Sequence, residues 1–328
     1  MSPAADGPAS VLVTGAGGYL GRQVVAALSA SPRNLGRIAA LDLRSVPESE
    51  RLPGVTYQTA DITGPGLAEV FQRHAPSVVV HLAALVTPGA GSNREREYRV
   101  DVLGSRNVLE ACLACGAGKI IYASSGAAYG YHPDNPLWLA EDHPLRGNPE
   151  FAYSDHKRQV EEMLARWRAE HPELKQLILR PGVILGAAAK NQITALFDKP
   201  MVLGLSGAAT PFVFIWDQDV VAVILKGVFE DVAGIYNLAG DGVLSLKEMA
   251  ARLGKPYVPL PAWLVRGALW LLGRLGLTQY GPEQVRFLLY RPVLSNQRLK
   301  DELGYTPQKT TRQVFDYFLE ARGRGRQT

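Results

Sequence analysis

Several marks that assign a protein quickly are scarce in this sequence. Only two cysteines, Cys112 and Cys115, occur in 328 residues, too few for a disulfide framework and in keeping with a reducing compartment. They form a CxxC, yet the run Asn107-Val-Leu-Glu-Ala-Cys-Leu-Ala-Cys has helical apolar spacing, where such thiols serve as small core residues. No second Cys/His pair lies nearby to complete a zinc site. The six histidines make no metal constellation either: His81 reads as a buried strand histidine and His156 as a solvent-facing one. Charge of one sign is also lacking. The 35 basic and 31 acidic residues leave a formal +4, and Arg322, Arg324 and Arg326 fall in a polar tail, which argues against a nucleic-acid partner. No apolar run is long enough to span a bilayer. The strongest candidate, Ala262 to Leu277, is interrupted by Arg266, Arg274 and glycines, and its remaining readings are a surface lying on a membrane or the lining of an apolar pocket. The residues up to Ser10 are small and polar without the basic and apolar regions of a secretory signal, so the cytoplasm is the expected location.

What is present is ordinary globular chemistry, 47% hydrophobic and 20% charged, enough for one large α/β domain with a smaller lobe. The opening third alternates short β-branched runs with helical patterns: Val11 to Val13, Arg22 to Ala30, Ile38 to Leu43, Gly66 to His74, Val78 to Leu82. This alternation predicts a doubly wound parallel sheet with helices on both faces. Ser77 to Ala84 and Lys119 to Ser125 suit central strands, flanked by helices over about 97–115 and 153–170 and followed by a strand from Gln176 to Pro181. After Pro181 the alternation fails and Gly, Ala and Pro accumulate to Pro211, as in a lobe of loops and short helices. The sheet is then expected to resume with Phe212 to Trp216 and Gly234 to Ala239. Residues 1–181, with 212–240 returning, form the expected first domain, and 182–211 with 241–328 the smaller lobe.

Three local patterns carry chemistry. Val11-Leu-Val13 leads into Thr14-Gly-Ala-Gly-Gly-Tyr-Leu-Gly21, a GxxGxxG turn between strand and helix. Gly15 permits the bend, Gly18 admits a pyrophosphate to the backbone, and Gly21 allows close helix–strand packing, while the helix N-terminus offers N–H groups to phosphates. Asp42 closes the second strand, where its carboxylate can accept both ribose hydroxyls of NAD and repel the 2′-phosphate of NADP; Arg44 partly offsets that repulsion and keeps dual use as the reserve. Asp61 is either an adenine contact or an ordinary turn aspartate. The third pattern is Tyr153-Ser-Asp-His-Lys157, a YxxxK whose phenol and ammonium share a helix face. Free tyrosine, with a pKa of about 10, is a poor base at neutral pH, and a neighbouring cation brings its proton transfer into range. Ser125, at the end of Ile120-Ile-Tyr-Ala-Ser-Ser, completes the set.

On these residues the sequence resembles the extended class of short-chain dehydrogenase/reductases, the NAD-dependent epimerases and dehydratases and the 3β-hydroxysteroid-dehydrogenase-like enzymes. The resemblance also covers HLAA at His81, DVLGSRNVLEAC at Asp101, YASSGAAYG at Tyr122, RPGVILG at Arg180 and YNLAGDGVLSLKEMA at Tyr236. It implies a Rossmann-type fold with an interleaved C-terminal substrate lobe. It further implies that Tyr153 exchanges the substrate proton, that Ser125 holds the substrate oxygen, and that Lys157 binds the nicotinamide ribose. Tyr19, Leu20, Ile62, Leu82, Ala83 and Ala84 would line the cofactor, and Pro181 and Val183 would pass the nicotinamide. The long helices at Asp101 and Tyr153 resemble a dimer-forming pair, so a homodimer is expected. Two departures bear on function. Asp101 stands where relatives often carry Asn, and Ser206 to Phe214 lacks the arginine that would clamp a diphosphate. Without that clamp the reading favours an apolar secondary alcohol or ketone, with Trp263 and Trp270 either enclosing it or packing a helical core. A nucleotide-sugar epimerase or dehydratase with tightly held NAD, and a non-catalytic NAD-binding scaffold, are the alternatives.

Overall fold

The computed structural model describes residues 9–86, 93–277 and 281–323; the tail arginines Arg324 and Arg326 lie outside these. The chain opens with β1 (Ala9–Thr14), α1 (Tyr19–Ala30), β2 (Leu35–Asp42), β3 (Val55–Thr59), α2 (Leu67–His74) and β4 (Val78–His81). A short helix α3 (Arg94–Tyr98), a π-turn (Arg99–Leu103) and α4 (Gly104–Ala114) then lead to β5 (Lys119–Ala123), α5 (Ala152–Glu170) and β6 (Lys175–Pro181). Next come β7 (Val183–Leu185), α6 (Gln192–Leu196), β8 (Val202–Leu205), β9 (Pro211–Phe212), β10 (Phe214–Trp216), α7 (Asp217–Phe229) and β11 (Gly234–Leu238). The described chain ends through β12 (Leu244–Ser245), α8 (Leu246–Arg252), β13 (Tyr257–Leu260), α9 (Ala262–Arg274), α10 (Gln284–Leu289), α11 (Gln297–Asp301) and α12 (Thr311–Ala321).

Seven strands form one sheet in the order β11-β6-β5-β4-β1-β2-β3, flanked by helices, the Rossmann-like architecture expected from the alternation. The order follows from composition. β4 is three valines and a histidine, buried at all four positions, and such a segment is stable only between two neighbours; it pairs with β1 on one side and β5 on the other. The register sets Thr14 beside His81, so the ends of β1 and β4 meet where the strand order reverses, the place at which open α/β sheets bind ligands. The helix expected over 97–115 is interrupted by the π-turn. Gly104 follows it because a Cβ there would lie 2.6 Å from Cδ1 of Ile62.

The chain divides into two units, residues 1–124, 156–179 and 220–236 in the first and 125–155, 180–219 and 237–328 in the second. The first is built around Leu12, Phe71, Val79, Leu109 and Ile120, all essentially excluded from solvent. The second has an aromatic core of Phe197, Phe212, Phe214, Phe315 and Phe318. Here the sequence reading is corrected: β10 does not extend the large sheet but pairs in parallel with β7, while β9 pairs antiparallel with β12. Phe212 and Phe214 had the right composition for strands, but their aromatic partners lie in this separate core.

Candidate active site

In the first unit the bend after β1 depends on glycine. Gly15 has φ +68°, and a Cβ on it would sit 2.6 Å from the backbone nitrogen of Ala83; one on Gly21 would sit 2.1 Å from the Gly15 carbonyl oxygen. Helix α1 is capped by Gly18, with no side-chain cap and no acid in its first turn, so its leading N–H groups suit the phosphates of a dinucleotide. Tyr19 and Leu20 begin this helix, exposed and half-buried respectively. At the end of β2 the Asp42 carboxylate accepts the Gly17 N–H at 2.9 Å and the Arg44 N–H at 3.0 Å, which fixes both oxygens beside the bend. Each keeps lone-pair capacity for a ribose hydroxyl. A hollow next to it is lined by Asp42, Arg44, Arg51, Tyr57 and Thr59, so two guanidinium groups share this hollow with the carboxylate. The cradle therefore fits a dinucleotide.

Asp61 Oδ1 accepts the backbone N–H and the hydroxyl of Thr63, both at 2.8 Å, so it braces the turn after β3. Ile62 is buried, its carbonyl accepting the Asn107 amide at 2.9 Å. Leu82, Ala83 and Ala84 follow β4, half-buried, with the Leu82 N–H donating to the Thr14 carbonyl at 3.1 Å. Beneath them runs a buried chain of hydrogen bonds. Ser105 donates to the Asp101 carbonyl at 2.6 Å, so it can only accept from His81 Nε2 at 3.0 Å, and His81 Nδ1 then accepts the Thr14 hydroxyl at 2.7 Å. Burial, with the Lys157 charge adding to it, lowers the His81 pKa to about 3, so the ring stays neutral and this tautomer persists.

Lys157 is buried on α5. Its Nζ donates to the Ala123 carbonyl at 2.7 Å and the Tyr122 hydroxyl at 3.1 Å, and lies 4.7 Å over the Tyr122 ring. Burial lowers its pKa to about 8, opposed by the carboxylates of Asp101 and Glu161. Glu161 is itself held by Ser124. His156, expected to face solvent, is instead 1% exposed, with Nδ1 3.2 Å from Asp101 Oδ2. The other oxygen of Asp101 accepts the Leu85 N–H at 2.8 Å, so this aspartate, at the position where the sequence departs from its relatives, ties the π-turn to the loop after β4 and to α5. Cys112 and Cys115 are unbridged thiols at the end of α4, both pushed up by burial, as inert structural thiols should be.

In the second unit Ser125 caps the short turn Gly126–Tyr129, its Oγ accepting the Ala127 N–H at 3.1 Å, which leaves its proton to be donated. Ser154 donates to the Ala127 carbonyl at 2.7 Å and so ties the start of α5, where Tyr153 sits, to this turn. Tyr153 is half-buried, its ring 6.2 Å from Phe151, and precedes Lys157 by one turn of the same helix. Pro181 closes β6 buried and Val183 opens β7 half-buried. Two features of this unit were missed in the sequence. Arg180 donates to the Tyr129 hydroxyl at 2.7 Å and to the Glu141 carbonyl at 3.0 Å, a buried network that Asn237 joins through the same hydroxyl at 2.9 Å. Arg291 places its guanidinium 4.0 Å over the Phe212 ring, with no ion-pair partner among the described residues. The stretch before Phe214 lacks an arginine, but this one arrives there from a distant segment. Trp263 and Trp270 are 73% and 52% exposed, which overturns the core-packing reading.

The model of the NAD dependent epimerase/dehydratase family matches residues 11–206, more than half of the chain. The chain belongs to that family. An uncharacterized protein of Mycobacterium tuberculosis is 27% identical over 324 residues, 96% of this chain and 85% of that one. A UDP-glucose 4-epimerase of Erwinia amylovora is 30% identical over 191 residues, 56% of each chain. The decarboxylating sterol-4-alpha-carboxylate 3-dehydrogenase of Saccharomyces cerevisiae is 26% identical over 195 residues, 57% of this chain and 54% of that one. Among solved structures, a short-chain dehydrogenase/reductase superfamily protein from Agrobacterium tumefaciens with bound NAD superposes with a TM-score of 0.71 at 24% identity, over 96% of this chain and 97% of that one. At that identity the likeness is one of fold. Among the described residues no helix is long and apolar enough to cross a membrane.

Proposed function

We propose that this protein is an NAD-linked oxidoreductase that moves a hydride between nicotinamide and a secondary alcohol or ketone of apolar, hydroxysteroid-like character. One observation carries the reading: a buried ammonium, Lys157, one helical turn beyond Tyr153, with a pKa of about 8 that keeps it charged at neutral pH. NAD, when bound, supplies the ring carbon that takes the hydride. In the oxidative direction Tyr153 accepts the alcohol proton as the carbonyl forms, Lys157 stabilises the phenolate that does so, and Ser125 donates a hydrogen bond to the substrate oxygen. Gly15, Gly18, Tyr19 and Leu20 hold the pyrophosphate, and Asp42, tempered by Arg44, selects NAD over NADP. Leu82 to Ala84, Pro181 and Val183 line the nicotinamide half, and Asp61 and Ile62 the adenine end.

The apolar substrate is supported by the sterol dehydrogenase relative and by the lack of an arginine between Ser206 and Phe214. Arg291 favours a second reading, a nucleotide-sugar epimerase, because an unpaired guanidinium suits a substrate phosphate and one relative is a UDP-glucose 4-epimerase. Following reduced-nicotinamide absorbance across sterols, simple alcohols and sugar nucleotides tests the proposal. Turnover of an apolar alcohol that needs added NAD and survives Arg291→Gln supports it. Cofactor retained through purification, with sugar-nucleotide turnover that needs no added NAD and falls in Arg291→Gln, would establish the second reading instead.

A further inference from the structure

Helix α9 and the turn after it carry apolar surface that the described residues leave uncovered. No residue of the helix is buried; Trp263 is 73% exposed, Trp270 52%, Leu271 52%, Leu275 61% and Leu277 70%. At 100° per residue Trp263, Trp270 and Leu277 fall on one stripe, Leu271 and Leu275 continue the exposed face, and the partly buried Val265 and Leu269 lie opposite. This is a directed face, unlike singly scattered surface leucines. Its charges have one sign. Arg266 and Arg274 border the tryptophan stripe, the Arg274 guanidinium lying 4.8 Å over the Trp270 ring, and no Asp or Glu occurs between Glu248 and Glu283.

We infer that α9 docks this protein on an anionic phospholipid surface, lying in the interface plane with Trp263, Trp270 and the leucines among the acyl chains and Arg266 and Arg274 at the phosphates. Tryptophan is favoured at that depth because its ring is apolar and its N–H polar, and arginine because its stem buries while its head stays at the phosphates. Thirteen residues of helix span about 20 Å, too short to cross a core of about 30 Å but suited to lying on it. The charge pattern favours lipid over a second copy of this chain, because two such faces packed together bring arginines against arginines with no carboxylate to pair them. The inference does not depend on the proposed reaction.

Sedimentation of the full chain with vesicles of phosphatidylcholine, with and without phosphatidylserine, tests it. The protein is expected to sediment with the phosphatidylserine vesicles. Affinity should fall at least about ten-fold in the exposed double variant Trp263→Ser/Trp270→Ser, and roughly five-fold for each of Arg266→Gln and Arg274→Gln, with a weaker salt dependence in the latter. Absence of sedimentation with anionic vesicles overturns the inference, as does undiminished binding by the tryptophan variant. A concentration-dependent dimer that the tryptophan substitutions dissolve, without vesicle binding, assigns the face to a second copy instead. Should the tryptophan variant misfold by circular dichroism, the arginine variants and the salt titration decide: binding indifferent to both overturns the inference.

Discussion

Replacing Asp42 by Ala should move the cofactor preference from NAD toward NADP, and the structure sets the scale. The carboxylate is held by the N–H groups of Gly17 and Arg44 at 2.9 and 3.0 Å, so it is already positioned when a ribose arrives. Hydrogen bonds to a charged group contribute roughly 1.5–3 kcal/mol each, and the side chain can accept from both hydroxyls. Allowing for relaxation of the bend, NAD affinity should fall about 100-fold, or about 2.7 kcal/mol. The same change removes a negative charge from the place a 2′-phosphate would occupy and leaves Arg44 and Arg51 lining the hollow. At about 1 kcal/mol per charge pair at 4 Å in water, a phosphate of nearly two charges gains about 2 kcal/mol, so NADP affinity should rise roughly 30-fold. Titration calorimetry with the two cofactors measures both shifts. If Asp42→Ala binds NAD within three-fold of the parent, or NADP no more tightly, the assignment of this carboxylate to the ribose is wrong.

Two further outcomes follow from the buried groups. Asp101→Asn keeps an acceptor for the Leu85 N–H but removes one of the two carboxylates that hold the proton on Lys157. The Lys157 pKa then drops below about 8, and the alkaline fall in kcat/KM should move to lower pH by roughly one unit; an unmoved limb in the pH–rate profile would separate that limb from Lys157. Gly21→Ala puts a Cβ 2.1 Å from the Gly15 carbonyl oxygen, where only a backbone shift can make room. It should cost about 1–3 kcal/mol and lower Tm by several degrees, whereas Gly267→Ala on α9, with nothing near its Cβ, should be neutral or slightly stabilising. Equal melting of the two variants would contradict the packing argument.

How much of this was readable in the sequence depended on how local each signal was. The glycine bend, the acid closing β2 and the YxxxK are set by spacing within one turn or one unit of strand and helix, and each falls on the element expected for it. His156 was misread although a local signal existed: it stands three residues after Tyr153, on the inward side of α5, but its partner Asp101 lies 55 residues away. Arg291 had no local signal, because what marks it is Phe212, which only folding brings beneath its guanidinium. Trp263 and Trp270 show the reverse limit. Their periodicity matched a helix packed in a core, and nothing in the sequence says whether another element covers that face. The placement of Phe212 to Trp216 in a separate sheet was hidden for a similar reason: strand composition does not name the neighbouring strand.

In the proposed reaction the Tyr153 phenol carries the proton while Lys157 keeps it reactive. With a substrate in hand, single-turnover hydride transfer by Tyr153→Phe, measured together with NAD affinity by calorimetry, separates the proton's carrier from cofactor binding. The rate should fall by about 100-fold or more with NAD binding within a factor of about two, since the ring stays and only the hydroxyl is lost. A variant that keeps most of its hydride-transfer rate would contradict it.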